Sequence, residues 1–237
     1  MPHPGRGKLG RVLRHLLDLL LPVECGGCNA PGAALCPRCA ALLSAPIQVR
    51  PPCCPAAPPV YALGSYQGCL RAALLAYKER GRRDVATPLG TALASGLLQL
   101  RSLDADCAAE AVWMVPVPSR ASAAARRGGQ HVELLARQAA AALAGVEVAA
   151  AVAPALRMGR GVRDSVGLAR AARRANLAGR VLIRPAGLPP RGIPVVLVDD
   201  VVTTGTTAAA CAATLLQTGV AVSAIVVLAA AGCHPPS

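Results

Sequence analysis

The sequence predicts an α/β fold, an open and mostly parallel sheet with helices on both faces, joined to a small N-terminal four-cysteine module. Three observations point to it. Val195 to Thr207 reads VVLVDDVVTTGTT: an apolar run suited to a strand buried on both faces, a hydroxyl-rich turn, then an Ala-rich helix through Gln217 that Gly219 stops. Of the 237 residues 54% are apolar, mostly Ala, Val and Leu, while aromatics make up 2% and Phe is absent. Such a core is assembled from small side chains on strands and helices together. Cys25-Gly-Gly-Cys28 and Cys36-Pro-Arg-Cys39 are two C-x-x-C knuckles separated by seven residues. The length suits one α/β domain with a small appendage.

The chain divides into an N-terminal helix and cysteine module (1–50), a Pro-rich linker (51–59) and the main domain (60–237). Met1 to Gly10 has the polar, Gly- and Pro-rich composition of a disordered terminus. Arg11 to Leu21 carries leucines at helical spacing, and Pro22 ends that helix. Pro46 to Pro59 holds six prolines in fourteen residues and reads as linker throughout. Val60 to Tyr66 is a candidate strand, followed by helices at Leu70 to Arg80 and Thr87 to Leu100. Ala111 to Val115 reads as a buried strand that runs into Pro116-Val-Pro118-Ser119-Arg120. His131 to Leu143 is an amphipathic helix with Val132, Leu135, Ala139 and Ala142 on its buried face. Val146 to Ala153 is a weakly patterned strand, and Ser223 to Ala230 is a last buried one.

The chemistry concentrates in a few places. Each cysteine knuckle aims two thiolates at one ion, and two knuckles complete a tetrahedral site, so Cys25, Cys28, Cys36 and Cys39 are expected to hold a structural Zn2+. A redox dithiol or paired disulfides are the alternatives, although a redox site needs an activated pair in a thioredoxin-like context. Cys53 and Cys54 are adjacent and cannot form a knuckle; with Cys69 and Cys107 they carry no assigned role. The turn Thr203-Thr204-Gly205-Thr206-Thr207 offers backbone N–H groups and hydroxyls at the positive end of a helix dipole, which suits a phosphate. Asp199 and Asp200 end the strand before it and would repel that phosphate, so they suit sugar hydroxyls or hydrated Mg2+. Ser119 and Arg120, at the C-terminal end of a parallel strand, lie where open α/β sheets bind ligands. Lys78 faces a phosphate or ends a helix in solvent. His131 is a general base or a polar helix-end residue.

The strand, acid pair and Thr-rich turn resemble the motif with which type I phosphoribosyltransferases bind 5-phosphoribosyl-1-diphosphate (PRPP). By that resemblance Asp199 and Asp200 bind ribose hydroxyls, Thr203 through Thr207 bind the 5'-phosphate, and Ser119 and Arg120 sit in the pyrophosphate loop. The order of the cysteine module, VPVPSR, RRGGQHVELLAR, GLARAARRANLAG and VLVDDVVTTGTT is similar to that of the ComF (competence protein F) family. This implies a type I phosphoribosyltransferase fold behind a zinc-ribbon-like module, PRPP with Mg2+ as ligand, and an acceptor left unnamed. It also implies a link to single-stranded DNA uptake or processing in transformation, with a competence helicase-type partner. The chain departs from the family at Arg127-Gly128-Gly129-Gln130-His131, where R-G-F-N-Q is usual, and at Val162 and Ser165, where T-x-x-Q is.

Net charge is +13, from 25 basic and 12 acidic residues, a field that attracts polyphosphate or nucleic acid without naming either. Scarce aromatics argue against a base-stacking mode of single-strand binding. Between Arg157 and Arg180 seven arginines face one acid, Asp164, a composition for a mobile basic lid or a solvated loop. No run approaches the roughly 20 apolar residues of a membrane span. Asp18 and Glu24 spoil any signal peptide, so the expected location is cytoplasmic. Two functions therefore stand: a phosphoribosyltransferase, in which Mg2+ and the arginines, Arg120 among them, stabilise the leaving pyrophosphate while Asp199 and Asp200 position a ribose acquiring positive charge, or a non-catalytic nucleic-acid-binding or PRPP-sensing protein that reuses the fold.

Overall fold

The computed structural model describes residues 23–52, 58–103, 111–119, 129–159 and 181–232. Its centre is a six-stranded sheet. In chain order the elements are α1 (Pro37–Ala40), β1 (Ile47–Val49), β2 (Val60–Ala62), α2 (Gly68–Glu79), α3 (Ala86–Leu103), β3 (Val112–Pro116), α4 (His131–Ala144), β4 (Ala150–Val152), β5 (Leu156–Met158), β6 (Val181–Ile183), β7 (Val195–Val202), α5 (Thr206–Leu216) and β8 (Val222–Ala230). The sheet order is β1-β2-β8-β7-β3-β4; only β1 runs antiparallel, and β5 pairs with β6 in a separate antiparallel ribbon. The α/β architecture with a mostly parallel sheet is as expected.

The two faces of the sheet bury different partners. On one, Leu70, Leu74, Leu89, Leu93, Leu135 and Leu143 of α2, α3 and α4 pack against Met114, Val198 and Val226. On the other, Ala208, Cys211 and Leu215 of α5 join Leu156 and Val181 of the ribbon over Val195, Leu197 and Ile225. Small residues let the helices come close: a Cβ on Gly90 of α3 would lie 2.3 Å from the Gln138 side chain and 3.0 Å from the Ala139 backbone nitrogen of α4. That close crossing seats α4, which begins at His131, against α3.

Several elements differ from expectation. Ile47–Val49, read as linker, pairs antiparallel with β2 and closes the sheet edge; prolines on both sides of a short edge strand cost it no ladder bonds. Asp199 and Asp200 do not end β7. The strand continues to Val202 because β8 pairs with it up to Val202↔Ala230, and Val201 and Val202 are as strand-compatible as the residues before the acids. β4 is shorter than Val146 to Ala153, since the chain first turns through Glu147 at φ 59°. Arg11 to Leu21, Cys53, Cys54, Cys107 and the arginine-rich segment 160–180 lie outside the described residues.

Candidate functional site

The connections leaving β3 and β7 diverge. From β3 the chain crosses through α4 to β4 on one side; from β7 it crosses through α5 to β8 on the other. These two strands are neighbours, with Val115 opposite Leu197 and Pro116 opposite Val198. Where adjacent parallel strands send their helices to opposite faces, a crevice opens beyond their carboxyl ends, and ligands bind there. Ser119 follows β3 into that crevice, and the Thr-rich turn follows β7.

The turn is built as its sequence requires. Gly205 caps α5 with φ 77°, a left-handed conformation that strains any residue with a Cβ. The Thr204 and Thr206 hydroxyls are 3.0 Å apart. Thr203 through Thr207 line a small cleft together with Asp199, so a carboxylate, hydroxyls and the N-terminal amides of an 11-residue helix converge.

Strand alternation sends the two acids to opposite faces of the sheet. Asp199 shares the side of Val195 and Leu197, over which α5 packs, whereas Asp200 shares the side of Val196 and Val198, under α2 and α4. Asp200 is 2% exposed and committed to protein partners there. Its Oδ2 lies 2.8 Å from Lys78 Nζ of α2 and 3.0 Å from His131 Nε2. His131 Nδ1 in turn lies 3.0 Å from Ser119 Oγ. The Ser119 backbone N–H donates to Gln130 Oε1 at 2.9 Å, and Gln130 Nε2 donates to the Ser119 carbonyl at 3.4 Å. Tyr77 donates its phenolic O–H to the His131 carbonyl, which ties α2 to the start of α4.

The electrostatics separate the acids further. Burial raises the Asp200 carboxyl, but the His131 hydrogen bond and the Lys78 ammonium more than offset that and hold it well below the usual carboxylate range. Burial and the neighbouring Asp200 charge push Asp199 well above it. Lys78 and His131 are thus the residues that sequence reading undervalued: neither is a solvated helix end. His131 also lines a cavity of about 280 Å3 with Tyr77, Arg83, Gln130, Leu134 and Arg137. Arg120 lies outside the described residues.

The second cluster is the cysteine module. The sulfurs of Cys25, Cys28, Cys36 and Cys39 all lie within 4.8 Å of one another, near the spacing of about 3.8 Å that a tetrahedral ion with Zn–S bonds of about 2.3 Å demands. The donor set therefore suits a metal such as zinc. Cys25 Sγ accepts backbone N–H groups from Gly27 at 3.4 Å and Cys36 at 3.3 Å. Against the opposing effect of burial, these bonds lower the Cys25 thiol to about 6, toward the thiolate a metal needs. Burial and the neighbouring thiols push Cys39 up. Among the described residues no helix is long and apolar enough to cross a membrane.

The chain matches no protein-family model and no curated protein.

Proposed function

We propose that the protein is a ComF-like phosphoribosyltransferase-fold protein that binds PRPP, or a related 5-phosphoribosyl ligand, at the crevice between β3 and β7. One observation carries the reading: the Thr203–Thr207 turn and Asp199 line a single cleft at the N-terminus of α5. Phosphate fits the amides and hydroxyls of the turn, and a ribose hydroxyl fits Asp199, the acid whose side chain shares that cleft. Mg2+ would be held by Asp199 together with the ligand's own diphosphate oxygens and would neutralise the leaving group's charge. Asp200, paired with Lys78 and His131, contributes by anchoring the strand rather than by touching sugar.

Calorimetric titration with PRPP and Mg2+, repeated with ribose 5-phosphate, tests this. The expected result is Mg-dependent PRPP binding that Asp199→Asn weakens by about tenfold or more, the loss of a charge-assisted hydrogen bond. If neither ligand binds, the reading fails. The net charge of +13 supports a second reading, a protein that grips a single-stranded DNA backbone. Heat on adding oligonucleotide, steeply weakened by salt and unaffected by Asp199→Asn, would favour it.

A further inference from the structure

Ser119, His131 and Asp200 stand in a row that phosphate binding at the Thr-rich turn does not use. We propose that they form a nucleophilic triad in which Ser119 Oγ attacks small carboxylic esters, with His131 as its base and Asp200 as the group that orients and stabilises the imidazolium. The geometry sets the roles. Asp200 is an acceptor held ionised by the Lys78 ammonium 2.8 Å away, so the His131 nitrogen facing it at 3.0 Å, Nε2, carries the proton. The other nitrogen, Nδ1, then presents its lone pair to the Ser119 hydroxyl at 3.0 Å. Serine, base and orienting acid in hydrogen-bonded sequence is the arrangement that activates a hydroxyl, recognised by geometry and roles rather than by chain order; here the two ring nitrogens exchange the places they hold in the serine-protease triad.

The row is exposed at the useful end only. Asp200 and His131 are buried at 2% and 8% exposure, while Ser119 is only partly buried beyond β3. Gln130 grips the Ser119 backbone from both sides, and Tyr77 holds the His131 carbonyl, so nucleophile and base are each fixed by a neighbour. The cavity of about 280 Å3 walled by Tyr77, Leu134, Arg83 and Arg137 reaches Gln130 and His131 but is not lined by Ser119, so an ester meets Oγ at the open end of the row. In the reaction the Ser119 proton passes to Nδ1 as Oγ bonds to the acyl carbon. The imidazolium then protonates the departing alkoxide, which leaves as an alcohol. Water repeats the sequence on the acyl-serine, giving its proton to Nδ1, and releases the carboxylic acid while Ser119 recovers its hydrogen.

A fluorophosphonate probe tests this on the full chain without knowledge of the natural ester. The Ser119 oxygen should displace fluoride, and peptide mass spectrometry should locate the phosphonyl group on Ser119. Ser119→Ala should abolish that adduct. His131→Gln and His131→Asn should each slow its formation about 100-fold, the contribution of a general base, in proteins whose melting temperature matches the parent. An unmodified Ser119 in the parent chain overturns the proposal, and that result depends on no variant folding. Equal labelling rates in the parent and either folded His131 variant would overturn it too, since a serine that reacts without its base is not part of a triad.

Discussion

The Asp200 carboxylate gives up its hydration when α2 and α4 cover β7, and Lys78 and His131 replace the lost water contacts. Its carboxyl is held below the ordinary value, so the stability it contributes is present above about pH 4 and is lost as pH falls below that. Asp199 behaves in the opposite sense. With a raised carboxyl, it stabilises the fold fully below about pH 4, and that stability declines as pH rises through the folded value and the buried charge forms beside Asp200. Asp199→Asn removes that charge. We expect it to raise stability at pH 7 by about 1 kcal/mol, the usual return from relieving a strained site, even as it weakens ligand binding. Urea unfolding at pH 4.5 and pH 7 checks the cause: the gain should be larger at pH 7, and an equal gain at both would assign the effect to packing instead of charge.

At the scale of elements, the N-terminus of α4 sets the site, because Gln130 and His131 grip Ser119 and Asp200 from it. Its position depends on α3 coming close at Gly90, where an added methyl would meet Gln138 at 2.3 Å and the α4 backbone at 3.0 Å. Backbone cannot swing aside as a side-chain tip can. Gly90→Ala, in spite of its better helix propensity, is expected to cost about 2 kcal/mol by thermal unfolding and to slow Ser119 labelling; a rise in melting temperature would refute the close crossing. The same scale shows what the sequence could tell. β7, its turn and α5 were legible because an apolar run, Gly205 and an Ala-rich helix each obey a local rule. β1 was hidden by the prolines around it, and β5 and β6 by being three residues long, too short to show alternation. The link between His131 and Asp200 spans 69 residues and leaves no periodic trace. Lys78 offered one faint signal, as one of two lysines in a chain otherwise basic through arginine.

The whole molecule joins the cysteine module to the sheet domain more closely than two knuckles and a linker suggested. Cys25, Leu35 and Cys39 belong to the same buried cluster as Leu63, Leu70, Tyr77 and Val85. At the knuckle, a Cβ on Gly26 would meet Val85 at 3.0 Å, and one on Gly27 would lie 2.8 Å from the Cys69 carbonyl of α2 and 2.9 Å from Cys39 Sγ. Metal binding to four thiolates contributes folding free energy directly, and the shared cluster is the route by which that energy would reach α2, the helix that carries Tyr77 and Lys78. Removing the metal by chelation, or one ligand by Cys39→Ser, should therefore do more than loosen residues 23–45. Hydrogen exchange is expected to quicken at least tenfold along Gly68–Glu79, a loss of about 1.4 kcal/mol of local protection, while β7 and β8 at the sheet centre keep theirs. Quickening confined to 23–45 would mean that the module folds by itself. In that case the metal holds only its own knuckles, and Lys78 reaches Asp200 by the packing of α2 on the sheet alone.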